Sequence, residues 1–335
     1  MNRVAIIILN WNCADDSIAC AKSILAQTEP SDIIFADNNS SDNSVNKIEY
    51  FINKRNSMYL IKNNKNLGFA GGINSGLRQA LSKKYDYIAL LNPDATADKN
   101  WLKFLVKEMD KHNRCGITTG LMIRSNTNTI DSTGEFYTTW GLPGPRNRDE
   151  PVENAPSKPG EVFGATGGGA IYRAAIFDDI DMFDEDFFMY YEDVDLSFRA
   201  QLAGWKVRFT PKAIAYHKVG ASSKKVPGLA VYNTFKNLPL VFIKNVPGKL
   251  FWYIGLRFFL TYWLIFASAV RHGNGWPAFK GILASIIRKP AAYHKRLSIQ
   301  KNRKVSIDYI RSIIHEGPLP NQTGLLKFRK FFTGK

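Results

Sequence analysis

The chain is expected to fold as an α/β protein: a doubly wound, mostly parallel sheet followed by a helical, membrane-associated region. Three observations lead there. Strand and helix signals alternate through the first 115 residues, and repeated βα units build parallel sheets with right-handed crossovers. Charge divides sharply along the chain. Residues 1–217 hold 24 Lys/Arg and 27 Asp/Glu, a net of −3, whereas residues 218–335 hold 21 and 2, a net of +19. The basic part also carries "LFWYIGLRFFLTYWLIFASAV" (250–270), 21 residues with Arg257 as the only charge.

The elements follow in order. "VAIIIL" (4–9) reads as a buried parallel strand. Its apolar run is too short for a signal peptide and no small-residue cleavage site follows. "DDSIACAKSILAQT" (15–28) is helical, "DIIFADN" (32–38) a strand, "SDNSVNKIEYFINKR" (41–55) a helix and "SMYLIKN" (57–63) a third strand. "GGINSGLRQALSKK" (71–84) is a helix after a glycine turn. "YDYIALLNPDA" (85–95) is a fourth strand and "KNWLKFLVKEMDKH" (99–112) a further helix. Residues 140–160, rich in Pro, Gly and charge, read as a long mobile loop over one face. "EVFGATGGGAIYRAAIF" (161–177) holds a strand, a glycine cluster and a second strand or helix start. "EDVDLSFRAQLAGW" (192–205) is a helix, and 206–217 a strand, a turn and a short strand ending at His217. The three cysteines, Cys13, Cys20 and Cys115, have no paired or metal-type spacing, which favours a reducing compartment.

Polar residues gather where the strands end: Asn10 and Asn12 after the first, Asp37, Asn38 and Asn39 after the second, Asn92 and Asp94 after the fourth. Asn and Asp are ordinary turn formers. Three such groups on one sheet edge point instead to a ligand, since open α/β sheets bind at the carboxyl ends of their strands. "NNKNLGFAGGINSGL" (63–77) is a glycine-rich turn opening a helix, whose amides could cradle a phosphate. It lacks the Gly-Lys-Ser/Thr of a P-loop, and no glycines follow the first strand, so an ATPase and a dehydrogenase are disfavoured. "YYEDVDLSFR" (190–199) crowds Glu192, Asp193 and Asp195 beside aromatics.

Taken together, "VAIIILNWN", "FADNNSSDNS", "NLGFAGGINSGL", "LLNPDA", "FGATGGGAIYRAAIF", "FDEDFFMYYEDVDLSFRAQLAGW" and "AIAYHKVGAS" resemble family 2 glycosyltransferases, most of all the bacterial rhamnosyltransferase-like branch. The resemblance runs over residues 3–222. It implies a GT-A fold, inverting transfer from a nucleotide sugar, and a divalent metal, Mg²⁺ or Mn²⁺. Carried onto this chain, it implies Asp193 as general base with Glu192 beside it, and Asp94 and His217 as metal ligands. The metal-binding DxD stands here as "NPD", with Asn92 in the first place. The implied nucleoside contact is Asp37. The other residues expected around the donor are Asn10, Asn12, Asn39, Asn66, Gly68, Gly72, Asn74, Asn92 and Gly168.

These types suit the chemistry. An acceptor hydroxyl is a poor nucleophile, so a carboxylate must take its proton as the new bond forms. A cation must offset the charge gathering on the leaving diphosphate. Asp195 is expected to pair with Arg199 one turn on. Glu192 is expected to orient an acceptor or an amide, and the aromatics at 187–191 to stack on sugar or exclude water. The expected division is a glycosyltransferase domain over 1–222 and a membrane-associated region over 223–335. The alternative is a catalytically inactive scaffold at the membrane.

The expected donor is dTDP-L-rhamnose and the expected acceptor a lipid-linked saccharide. The expected location is the cytoplasmic face of a bacterial inner membrane, against anionic lipid. Arg257 in mid-segment favours helices in the interface over a full span. No nucleic-acid partner is expected, because the basic residues are interleaved with long aliphatic and aromatic stretches.

Overall fold

The computed structural model of the chain describes residues 2–218 and 226–318. The parallel half of the sheet forms as expected. β1 (Val4–Asn10), β2 (Asp32–Asp37), β3 (Met58–Lys62) and β4 (Tyr87–Leu91) pair in the order β4-β1-β2-β3, all parallel. The crossover helices are α1 (Ala14–Leu25), α2 (Ser44–Ile52) and α3 (Gly68–Ser82). α3 lies close against β1 because it presents glycine there: a Cβ on Gly76 would sit 2.7 Å from Ile7.

The other half is mixed. After the short β5 (Ala95–Ala97) and α4 (Trp101–Lys111) comes β6 (Cys115–Arg124), a ten-residue strand in mid-sheet. β6 is absent from the sequence reading, because Gly116, Thr118, Thr119 and Gly120 break its apolar run. Those small residues admit a close neighbour: a Cβ on Gly120 would lie 2.0 Å from the carbonyl oxygen of Ala213. Three short strands follow, β7 (Ile130–Ser132), β8 (Glu135–Tyr137) and β9 (Pro143–Pro145). Next come β10 (Gly160–Val162) and β11 (Gly169–Arg173), which is antiparallel to both β4 and β6. After α5 (Ile176–Ile180) and α6 (Glu192–Leu202), β12 runs unbroken from Lys206 to His217, parallel to β6. The turn expected inside β12 is a bulge between Thr210 and Ile214.

Residues 140–160 are not a free loop. β9 pairs with β8, Asp149 N donates to Ile130 O, and Arg148 donates to the backbone and carboxylate of Asp131.

Four helices close the described chain: α7 (Leu229–Asn245), α8 (Gly248–Arg271), α9 (Gly275–Lys301) and α10 (Ile307–Ile313). The stretch expected to be a short amphipathic helix at 278–290 is part of α9, which runs on through Pro290. The expected boundary at 222/223 lies outside the described residues, as do Val219 and Gly220 of the last motif. α7 to α10 share a core with the sheet domain: Phe187, Val194, Phe198 and Leu202 pack with Phe235, Leu238, Val241 and Ile254.

Many of the basic residues face inward. Lys244 pairs with Asp184 and Asp195, Lys295 with Asp184 and Asp186, and Lys304 with Asp179. Arg296 donates to the carbonyls of Ile243 and Val246. Part of the charge split is therefore complementarity within the chain, and the basic cluster that includes Lys295, Arg296 and Lys304 is not simply a surface for anionic lipid.

α8 is the one helix among the described residues long and apolar enough to cross a membrane, by length and composition. It is not a core helix. Only 28% of its most apolar window is buried, as a stripe of Leu250, Ile254, Phe258 and Tyr262. Trp252, Leu256, Phe259 and Leu260 are exposed. An uncovered apolar face of that extent supports membrane association. Arg257 donates to Tyr253 O and lies 3.9 Å over the Tyr253 ring, so its charge is partly satisfied within the helix.

Candidate active site

β4 and β12 place two polar ends side by side. Asp94 follows β4 in the turn "NPD" and His217 closes β12. The His217 Nε2 lies 3.1 Å from Asp94 Oδ1 and 3.4 Å from the Asn92 amide. Its other nitrogen, Nδ1, lies 2.8 Å from Asp131 Oδ2. Asp131, on β7, is held in turn by Arg148 at 3.0 Å and Arg124 at 3.7 Å. Burial alone would lower the His217 pKa, but Asp131 and Asp94 outweigh it and raise it to about 9. Without a cation, the imidazolium therefore sits between the two carboxylates.

A dipeptide links this pair to the base. Gly167 N donates to Asp193 Oδ2 at 2.9 Å, and a Cβ on Gly168 would lie 2.8 Å from the Asn92 amide nitrogen. Val194 N donates to Asp193 Oδ1 at 2.8 Å. Both carboxylate oxygens are thus aimed by backbone, and Asp193 keeps partial exposure. Burial raises its pKa, against these amide hydrogen bonds and the charge of Arg148. A base above the ordinary Asp range is the stronger proton acceptor.

Its two neighbours have other lives. Asp195 is fully buried and paired with Arg199 at 2.9 Å, as expected, and also with Lys244 at 2.8 Å and the Asn245 amide. Glu192 is buried, and its Oε2 has no hydrogen-bond partner. Burial and Asp193 push its pKa well up, so it is held toward the neutral form. A backbone hydrogen bond at Glu192 itself works against that rise.

The loop before Asp193 is strained. Phe188, Tyr190 and Tyr191 have φ of 63°, 69° and 70°, a conformation that costs about 1–3 kcal/mol for each such residue. α7 holds it there: the buried Asn237 amide donates to Phe187 O, Met189 O and Tyr190 O at 2.8–2.9 Å. Lys236 donates to Asp186 O and Phe187 O. Phe187 itself is core rather than a sugar platform, being fully buried.

The sheet order and this cluster agree with the family comparison. The model of glycosyl transferase family 2 matches residues 5–181, a little over half of the chain. The chain belongs to glycosyl transferase family 2. Poly-beta-1,6-N-acetyl-D-glucosamine synthase of Staphylococcus aureus (strain MSSA476) is 23% identical over 217 residues, covering 64% of this chain and 50% of that protein. The Staphylococcus epidermidis protein of the same name is 22% identical over a stretch of the same length. The chain thus spans about half the length of the curated relatives it matches.

Among solved structures, GalNAc-T7 with UDP, GalNAc and Mn²⁺ superposes with a TM-score of 0.60 at 16% identity, over 73% of this chain and 48% of that one. The mannosyltransferase PcManGT from Pyrobaculum calidifontis, in complex with GDP-Man and Mn²⁺, gives 0.53 at 15%, over 100% and 81%. S. aureus TarS 1–349 in complex with UDP gives 0.55 at 18%, over 93% and 90%. The shared fold is GT-A.

In this family 2 chain the structure brings Asn92, Asp94, Gly168 and His217 together with Asp193, and places the other expected donor residues differently. Asn10 is fully buried; its amide donates to Asp37 Oδ1 at 2.7 Å and its oxygen accepts from Ser17. Asp37 is 1% exposed and accepts from Asn10 and from both Ser40 N and Ser40 Oγ. Asn12 caps the 41–42 turn through its side-chain oxygen, and Asn39 stands exposed beside it.

Nor is the glycine-rich turn an open phosphate cradle. Gly68 N donates to Asn66 Oδ1 and Ala70 N to Phe188 O. Gly68 has φ +70°, and a Cβ there would lie 2.3 Å from Phe188 O. Gly72 faces Leu9, where a Cβ would lie 2.4 Å away. Asn74 is buried and tied to Phe183 and Glu185. Gly68 and Ala70 thus pack on the loop before Asp193.

Sequence reasoning missed Asp131, Arg148, Gly167, Lys236 and Asn237. Only Gly167 stood inside a quoted motif; the others gain meaning from contacts more than 15 residues away.

Proposed function

We propose that this chain is an inverting glycosyltransferase acting on a lipid-linked saccharide in bacterial surface polysaccharide assembly. It would work at the cytoplasmic face of the inner membrane. One observation carries the reading: the Gly167–Gly168 dipeptide joins the carboxylate of Asp193 to the Asn92–Asp94–His217 cluster. A proton acceptor and a cation-type donor pair on one edge are what a single displacement at a sugar diphosphate needs. Asp193 takes the proton of the acceptor hydroxyl. Glu192 beside it is buried, with its pKa pushed up by burial and by Asp193.

The donor set suits a divalent cation. Asp94 Oδ1 and His217 Nε2 are 3.1 Å apart, and adjacent ligands of an octahedral ion at about 2.1 Å lie about 3 Å apart. Among the described residues no group of three or more His, Cys, Asp or Glu could hold a metal ion. The remaining ligands therefore come from the diphosphate and water. The ion supplies charge to the leaving diphosphate; the mixed oxygen and nitrogen set favours Mn²⁺. Asp131 fixes the imidazole with Nε2 toward Asp94, as carboxylates do behind metal-bound histidines.

The motif set favours dTDP-L-rhamnose as donor. The names of the curated relatives favour an N-acetylglucosamine donor instead. A hydrolysis screen of dTDP-, UDP- and GDP-sugars with Mn²⁺ or Mg²⁺ separates them. Hydrolysis of one donor class supports the enzyme. Metal-dependent nucleotide binding with no turnover of any donor identifies the inactive scaffold.

In the same assay Asp94→Ala should weaken metal-dependent binding of the nucleotide diphosphate by at least about tenfold, 1.4 kcal/mol. Affinity unchanged from that of the wild type, both with and without chelator, would remove Asp94 from the metal. Asp131→Ala should weaken Mn²⁺ binding by about 10–100-fold, read by the paramagnetic signal of free Mn²⁺. Asp131→Asn, which keeps an acceptor oxygen for Nδ1–H, should restore part of it. An unchanged Mn²⁺ affinity in Asp131→Ala would make this contact purely structural.

A further inference from the structure

α7, α8 and α9 enclose a cavity of about 540 Å³ that the proposed chemistry does not use. Its volume lies within the range of ligand pockets, about 300–1,000 Å³. The walls are Phe242 of α7, Phe251 and Phe258 of α8, and Ile282 and Ile286 of α9. Gly255 leaves room between them, since a Cβ there would meet Phe242 at an ordinary 3.4 Å. No carboxylate lines it, and Lys289 is its charged residue.

Two polar atoms make it more than a greasy cleft. Ser285 is 2% exposed and lines the cavity, yet its hydroxyl has no hydrogen-bond partner. A helical serine ordinarily bonds back to the preceding turn. Lys289, one turn further along α9, lines the cavity as well. Unpaired buried polar groups are costly, about 1–3 kcal/mol each, so an occupant with acceptor oxygens near this end would be stabilised.

We infer that this cavity seats the hydrocarbon chain of the phosphate-bearing lipid that carries the acceptor. The inference rests on the transferase reading and names the place of the acceptor's lipid end. Apolar walls fit a chain, and Ser285 and Lys289 fit an anionic head. α7 ties the cavity to the chemistry. Its Pro239 and Phe242 line the cavity, while its Lys236 and Asn237 hold the loop that leads to Asp193. A bilayer phospholipid would find the exposed face of α8 equally good, but that face carries no unpaired polar group among the described residues.

The test is photolabelling of the full chain in detergent micelles with hexadecyl phosphate bearing a diazirine in mid-chain. Labelled peptides should fall at 251–258 and 282–289. Unlabelled hexadecyl phosphate should compete at least about tenfold better than hexadecanol or inorganic phosphate. Gly255→Leu, which fills the cavity, should reduce the labelling by a similar factor, with the thermal transition recorded to show that the variant is folded. Labelling spread along Leu260 and Leu264, which do not line the cavity, without competition would overturn the inference. So would undiminished labelling of folded Gly255→Leu, or equal competition by phosphatidylglycerol vesicles, which would make the occupant a bilayer lipid. Donor hydrolysis by the wild-type chain is scored in the same preparations. Competed labelling without hydrolysis sinks the transferase reading and leaves the cavity's lipid; hydrolysis without competed labelling does the reverse.

Discussion

Asp193→Asn should cut sugar transfer by about 10²–10⁴-fold, the usual worth of a positioned base, while donor binding persists. The substitution is nearly isosteric, and the amide oxygen can still accept from Gly167 N or Val194 N, which hold the carboxylate at 2.9 and 2.8 Å. What is lost is the ability to take a proton. A pH profile gives a second readout. The folded-state pKa of Asp193 is raised above 3.8 by burial, so the acid limb of kcat/KM should lie above that value and vanish in the variant. Turnover above about a tenth of wild type would assign the base elsewhere. Glu135, buried with its pKa pushed well up by burial and by Asp193, is then the next carboxyl to substitute.

The parts of this site that were legible in sequence are those where one local segment does one job. "NPD" ends a strand, "EDVDL" opens a helix, and each has a shape that survives without its neighbours. Asp195 and Arg199 were readable as a pair because four residues on a helix is a fixed distance. The parallel strands were readable because burial on both faces leaves continuous apolar runs. β6 was not, since its glycines answer to Ala213 on β12 and to Trp205 just before it.

The polar residues are ambiguous in a consistent way. Asn10, Asp37 and Asn74 look the same in sequence whether they meet a ligand or each other, and here they meet protein atoms. The charge split is ambiguous likewise: it spoke of an anionic partner, and part of that partner is the chain's own acidic stretch at 178–195.

Lys244→Met should therefore destabilise the protein by about 3–5 kcal/mol, the cost of leaving buried charge without its partner, a large part of a typical stability of about 5–15 kcal/mol. Lys244 and Asp195 are both buried and 2.8 Å apart, and Asp184 meets the same ammonium. Burial alone would raise the pKa of each carboxyl, but Lys244 and its neighbours hold both below 3.8. Groups depressed in the folded state stabilise it above their unfolded pKa, and that contribution is lost as pH falls through the folded value. The wild-type chain should thus lose stability below about pH 4, and Lys244→Met should show a weaker acid dependence there. Asp195→Asn in the Lys244→Met background should recover part of the loss, because one uncompensated charge goes with it. Denaturant titration of the three proteins in one detergent decides it; a Lys244→Met shift under about 1 kcal/mol would show the network to be incidental. The same ion pairs bear on truncation after residue 222. Such a fragment loses Lys236, Asn237 and Lys244 together, and with them the clamp on the loop before Asp193. It should not survive as a soluble, donor-hydrolysing domain, because α7 holds the loop before Asp193 as well as packing against α9.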